Sequence, residues 1–286
     1  MILQREILLT AEKAGVPTGT IDKDWVLGHV LNRLFRTDWA QDELVFKGGT
    51  CLRKCHIEGY RFSEDLDFTV RDSGFAITSE LLRGVFRDVT QNVGILFGEV
   101  DVKPILWKDS EVGYKLQIPF WGADHKRSQI PPEPARWLTG IKMEFIKYEL
   151  LVNEACRLPL MSQYSDAGMF DGLLIPCYAI EEVVAEKFRA LLQRSYPAPR
   201  DYYDLWYMLS HRTDIDWDCV RKTFRAKCDY KGVSVSSYHD FFDDNELRKV
   251  GRAWKNSIGG HLSERDLPLF DDVVSDLKRF CSEREW

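Results

Sequence analysis

Residues 44–70 read LVFKGGTCLRKCHIEGYRFSEDLDFTV: a strand, a glycine turn, a short helix, a loop and a second strand. Leu44, Val45 and Phe46 make a short apolar run that stops at Gly48 and Gly49, where the backbone can turn tightly and approach a ligand closely. Thr50 stands where it can cap the following helix, whose first amides point back at the glycines and favour a phosphate. Farther on, Asp65-Leu66-Asp67-Phe68-Thr69-Val70 alternates with period two, so Asp65 and Asp67 share one strand face while Leu66 and Phe68 face a core. Two carboxylates side by side repel each other unless a cation sits between them. Oxygen ligands beside a phosphate cradle suit Mg²⁺ and a nucleoside triphosphate (NTP).

The chain around this stretch has 286 residues, enough for one or two domains with a large core. Its 44% hydrophobic and 29% charged residues describe a soluble globular protein. No apolar run has the length of a membrane span, and the start, MILQREILLTAEKAG, carries charges too early for a secretory signal, so a cytoplasmic location is expected. Seven cysteines show no CxxC spacing, with Cys51 and Cys55 a turn apart on a helix; free thiols are expected, and a zinc site is not. A net charge of −6 gives no overall attraction to nucleic acid, so such binding needs a local basic patch.

Periodicity places helices over residues 2–14 and 22–36, with Asp22 and Asp24 near the start of the second, and over 78–93. Strands are expected over 95–106, 112–120 and 141–146. Irregular segments are expected over 121–139, which carries Pro131-Pro132-Glu133-Pro134, and over 157–178. From residue 179 onward the pattern is helical, over 179–194, 201–210, 217–227, 237–258 and 267–282. The fold class is therefore α+β: a mixed sheet with helices over residues 1–178, then an all-helical bundle over 179–286.

Metal-assisted phosphoryl or nucleotidyl transfer needs two or three carboxylates and a cation for the triphosphate. Glu144, on a strand whose other face carries Ile141, Met143 and Phe145, is either the third carboxylate or, with Lys142, part of a solvated strand face. Lys187 falls in the apolar stripe of Ile180, Val183, Val184, Phe188, Leu191 and Leu192, where an ammonium must be paired. Asp201 and Asp204 on the next helix are its partners, either in a structural bridge or as groups that orient Lys187 toward a phosphate. His29, His56 and His125 form no cluster and are assigned to surface or capping positions; GxxxxGK[ST] and GxGxxG motifs are absent. Arg221, Lys222, Arg225 and Lys227, beside Lys231 and among Trp217, Phe224 and Tyr230, form either an RNA-backbone surface or an ordinary solvated helix face.

Lys47-Gly48-Gly49-Thr50-Cys51-Leu52-Arg53, followed by Arg61-Phe62-Ser63-Glu64-Asp65-Leu66-Asp67-Phe68, strongly resembles the first motif of the AbiEii/AbiGii-type nucleotidyltransferase toxin family. Ile141-Lys142-Met143-Glu144, Glu186-Lys187-Phe188 and Arg200-Asp201-Tyr202-Tyr203-Asp204-Leu205 resemble its second, third and fourth motifs, in that order. Thr50 where many nucleotidyltransferases carry serine, and the extended proline loop before Glu144, depart from the pattern. The resemblance implies a polymerase-β-like nucleotidyltransferase core with a helical C-terminal domain, Mg²⁺ and an NTP, a possible cognate antitoxin, and an RNA acceptor such as the 3′ end of tRNA. Asp65, Asp67 and Glu144 then hold metal; Gly48, Gly49, Thr50 and Arg53 bind the triphosphate; Lys187 neutralises it; and Asp201 or Asp204 orders that site. A protein or small-molecule acceptor, or a non-catalytic module regulated by an antitoxin, are the rival expectations.

Overall fold

Two helices, Gln4–Ala14 (α1) and Thr18–Leu34 (α2), precede the sheet in the computed structural model, which describes residues 2–284 and 286. Gly15 ends α1 in the left-handed conformation, and Pro17, with φ preset near the helical value, starts α2 four residues earlier than periodicity alone indicates. Asp22 and Asp24 thus lie inside α2 and are buried, rather than sitting in its first turn. After Asp38–Glu43 (α3), Leu44–Lys47 (β1) runs into Gly48–Cys51 (α4) and a single π-helical turn, Leu52–His56. Asp65–Val70 (β2), Ser79–Val93 (α5), Leu96–Phe97 (β3), Lys103–Trp107 (β4), Ser110–Trp121 (β5) and Gly140–Ile146 (β6) follow.

Two expectations change here. The strand expected over 95–106 is two, separated at Gly98, which packs so closely on Pro119 that a Cβ would stand 2.7 Å from that ring. The segment 157–178, expected to be irregular, contributes Cys156–Pro159 (β7) and Leu174–Cys177 (β8). The sheet runs β3-β5-β6-β2-β1-β8-β7, with β4 also on β5. It is mixed, as expected: β2 pairs parallel with β6 and β1 parallel with β8, while the other pairs are antiparallel. Phe46, Phe68 and Phe145 stack across β1, β2 and β6 at ring separations of 5.4 and 5.0 Å, facing a core that includes Trp25, Val30, Val85 and Phe86 of α2 and α5. Burying each such ring contributes roughly 1.5–3 kcal/mol.

The chain divides into two compact units, Met1–Glu149 with Ala155–Tyr178, and Leu150–Glu154 with Ala179–Trp286. The second is helical: Ile180–Gln193 (α6), Pro199–His211 (α7), Trp217–Lys231 (α8), Asp244–Ile258 (α9) and Phe270–Glu283 (α10). The helix expected over 237–258 is broken, because Asp243 accepts from the amides of Asn245 and Glu246 and caps α9, leaving a separate 3₁₀ turn at Tyr238–Phe242. Phe188 packs against Phe241 and Trp286, with ring centroids 5.3 and 4.1 Å away. Glu182 and Lys227, both without solvent exposure, pair at 2.9 Å. Lys227 also donates to the Leu150 carbonyl, and Glu182 accepts from the amides of Val152 and Asn153, which ties Leu150–Glu154 to this unit. Lys227 therefore does not belong to a basic surface; of the four cations proposed for it on α8, Lys222 and Arg225 point outward, and Arg221 bonds Asp218 and the Arg284 carbonyl.

Candidate active site

The register of three strands sets the site. Lys47 on β1 lies opposite Asp67 on β2, and Asp67 lies opposite Glu144 on β6. Directly paired residues project on the same face of a sheet, so these three side chains form one row, with Asp65 two residues along on the same face. The other face of these strands carries Leu66, Phe68, Met143 and Phe145, all buried. Exposure increases along the row, from Lys47 at 8% through half-buried Asp67 to exposed Glu144. Lys47 was not singled out among the site residues by sequence reasoning, because only the β1–β2 register reveals its place beside Asp67. Its ammonium is 4.0 Å from Glu149 and 5.6 Å over the Tyr178 ring.

Gly48 follows Lys47 at φ +82°, a conformation that strains any residue with a side chain. A Cβ added there would also run into the Asp67 carboxylate, so the glycine is what lets the backbone lie against that group. At Gly49 a Cβ would stand 3.0 Å from Ser63 Oγ and 3.1 Å from Arg61 Nη2. Thr50 does not cap the helix as expected. The helix starts at Gly48, which places Thr50 inside it, and its hydroxyl donates to the Asp65 carbonyl at 2.5 Å. That bond fixes the glycine turn against the strand that carries both aspartates.

Arg53, expected to reach a phosphate, is instead turned into the protein. Its Nε donates to Asp24 at 2.7 Å, its Nη1 to the Tyr60 carbonyl, and its guanidinium lies 3.7 Å over the Phe62 ring. Lys54 reaches the second Asp24 oxygen at 2.8 Å, and so does the Tyr164 hydroxyl. Burial alone would raise the Asp24 pKa, but Lys54 and Arg53 outweigh it and hold the group at about 2. Of the histidines, His29 differs from expectation, while His56 and His125 are half-buried. His29 is buried between Trp25 and Phe170 with Nε2 3.1 Å from Asp166; His56 bonds the Tyr178 carbonyl; and His125 stacks on Trp121.

Asp22 is buried beside Asp124, and the Ala123 amide donates to it at 2.7 Å. Burial first, and Asp124 second, raise its pKa to about 7 against the bond from Ala123. A carboxyl raised in the folded state binds its proton more tightly there than in the unfolded chain. Stability is therefore lost as pH rises from about 4 to about 7, at no more than about 1.4 kcal/mol per pH unit, and levels off above. Asp22→Asn, which keeps the acceptor for Ala123, should gain melting temperature on the parent progressively from pH 5 to pH 7.5; a gap that is constant with pH contradicts this.

The helical unit holds the remaining expected residues together. Lys187, 8% exposed, contacts Asp201 at 3.1 Å and Asp204 at 2.5 Å, and Arg194 meets the other Asp201 oxygen at 2.8 Å. The ammonium thus has the pairing that its place in the apolar stripe demands.

Chemically, the sheet row offers carboxylate oxygens alone, the donor set of a hard divalent cation. Such a donor set fits an ion that keeps waters and takes one or two carboxylates together with substrate phosphates. The model of the nucleotidyl transferase AbiEii toxin family, type IV toxin–antitoxin system, matches residues 29–276. The chain belongs to this family. It is thereby a nucleotidyltransferase toxin of a type IV toxin–antitoxin system, and the match runs from within α2 to within α10 and includes the whole sheet row and the Lys187 cluster. No curated protein sequence matches this AbiEii-family toxin. Its fold is similar to that of MenT4, a nucleotidyltransferase toxin from Mycobacterium tuberculosis H37Rv, with a TM-score of 0.64 at 22% identity, covering 100% of this chain and 91% of that one. Among the described residues, no helix is long and apolar enough to cross a membrane.

Proposed function

We propose that this toxin transfers a nucleoside monophosphate from an NTP to the 3′-hydroxyl of RNA, at the acceptor end of tRNA, which blocks aminoacylation and translation in the cytoplasm. The observation that carries the proposal is the row Lys47, Asp67, Glu144 beside a glycine turn whose backbone lies against the Asp67 carboxylate. The acceptor oxygen attacks the α-phosphorus, a new P–O bond forms, and the bond to the β-phosphate breaks to release pyrophosphate. Asp65, Asp67 and Glu144 would hold Mg²⁺, which when bound neutralises phosphate charge and makes a coordinated hydroxyl more acidic. Glu144, at the exposed end of the row, orients the acceptor hydroxyl or takes its proton. The amides of Gly48, Gly49 and Thr50 bind phosphate oxygens. Lys187 offsets the charge of the leaving pyrophosphate while Asp201 and Asp204 hold its ammonium in place.

RNA capture would use the outward Lys222 and Arg225, and with a net charge of −6 it should weaken steeply as salt rises. A cognate antitoxin would restrain the activity. The test is the purified protein with Mg²⁺, each α-labelled NTP in turn, and cellular RNA and protein as competing acceptors. Label should enter tRNA and be lost when its 3′ end is oxidised with periodate; label in the protein fraction would overturn the RNA acceptor in favour of a modified protein. Lys187→Ala should raise the KM for NTP more than it weakens RNA binding, and should also lower the melting temperature because two buried carboxylates lose their partner. An unchanged KM with a large melting loss would leave Lys187 as a structural bridge only.

A further inference from the structure

Three cysteines that are far apart in sequence meet in the core of the sheet unit. Cys51 ends α4, Cys55 lies in the π turn that follows it, and Cys177 ends β8. The parallel pairing of Phe46 with Cys177 lays the end of β8 beside β1, the strand that runs into α4, and so delivers the third sulfur to the other two. The three Sγ atoms all lie within 4.8 Å of one another, and the residues are 0, 6 and 0% exposed.

Buried cysteines often serve as small apolar residues. Two features here go beyond packing. The helix widens to a π turn at Leu52–His56, closed by the Ile57 amide on the Leu52 carbonyl at 2.8 Å, and such turns concentrate at functional sites. The donor set is also the one that thiophilic ions take. Tetrahedral zinc with Zn–S bonds of about 2.3 Å sets sulfurs about 3.8 Å apart, so 4.8 Å need close by no more than about 1 Å.

We propose that Cys51, Cys55 and Cys177 form a structural site for a zinc-class divalent ion, held by their three sulfurs. Soft thiolates select such an ion over Mg²⁺, which separates this site from the carboxylate row in the metal it takes. The ion would clamp β8 to the helix whose first residues are Gly48, Gly49 and Thr50, and so hold the glycine turn from behind. Spacing along the sequence did not reveal the site because its third sulfur comes from a short strand in a segment without clear periodicity.

The experiment uses the full-length protein, expressed with zinc supplementation and purified with reductant in the absence of oxygen. Elemental analysis should find close to one zinc per chain. Cobalt(II) exchanged for zinc should show thiolate-to-metal charge transfer and the visible bands of a tetrahedral ion. Zinc affinity should be lost in Cys55→Ser and in Cys177→Ser, while Cys219→Ser, on α8 of the other unit, should keep it. If Cys55→Ser fails to fold, alkylation of the parent decides the matter: these three thiols should be protected until a chelator is added. Folded parent protein without stoichiometric zinc, whose cobalt spectrum lacks sulfur charge transfer, would overturn the proposal. So would a disulfide joining Cys177 to Cys51 or Cys55 in metal-free protein, which would make the cluster a redox pair.

Discussion

Asp67→Ala should lower nucleotidyl transfer on the order of a thousandfold while leaving the melting temperature close to that of the parent. Asp67 stands at the centre of the row, between Lys47 and Glu144 and against the backbone of Gly48. In its proposed role as a metal ligand it would stabilise charge that builds up on the transferred phosphate, and losing several kcal/mol of that stabilisation is worth about three powers of ten in rate. The fold has little to lose, because the residue is half-buried on a strand held by Leu66 and Phe68 on its other face, both without solvent exposure. Asp67→Asn keeps the shape and removes the charge, so it should lose nearly as much activity. Parent-like turnover in either variant would remove Asp67 from the chemistry.

Lys227→Ala should act in the opposite way, on stability first. Lys227 and Glu182 are both without exposure and 2.9 Å apart, so truncating the lysine leaves a buried carboxylate without its cation. Such losses cost about 3–5 kcal/mol. Part of the Glu182 charge remains satisfied by the amides of Val152 and Asn153, which places the expected loss toward the lower end. Lys222→Ala, outward on the same helix, should leave melting unchanged and weaken RNA binding instead. Thermal melts of both variants decide the assignment: if Lys227→Ala melts like the parent, the buried pair does not hold the unit together.

The local patterns in the sequence were legible where one element sufficed. The alternation of Asp65 to Val70 placed the acidic residues on one face and Phe68 in the core, and the apolar stripe around Lys187 required the partners that Asp201 and Asp204 provide. What stayed hidden depended on distant pairing. The four-residue strands β7 and β8 each contain a proline and too few residues to display alternation, so the segment read as irregular. Register alone put Lys47 beside Asp67, and Cys177 beside Cys51 and Cys55. Lys227 looked like part of a basic helix face because its partner Glu182 comes from α6. Arg53, one helical turn past the glycines, looked available for phosphate until the earlier start of α2 brought Asp24 into the core to meet it.

The most direct test of nucleotidyl transfer at the Asp65–Asp67–Glu144 row compares α-labelled with γ-labelled NTP in otherwise identical reactions with Mg²⁺ and RNA, with Asp67→Asn as control. Label from the α-position should appear in RNA with one pyrophosphate released per transfer, γ-label should stay with the pyrophosphate, and both signals should vanish in the variant. Transfer of γ-label to any acceptor, or α-label incorporation that persists in Asp67→Asn, would contradict it.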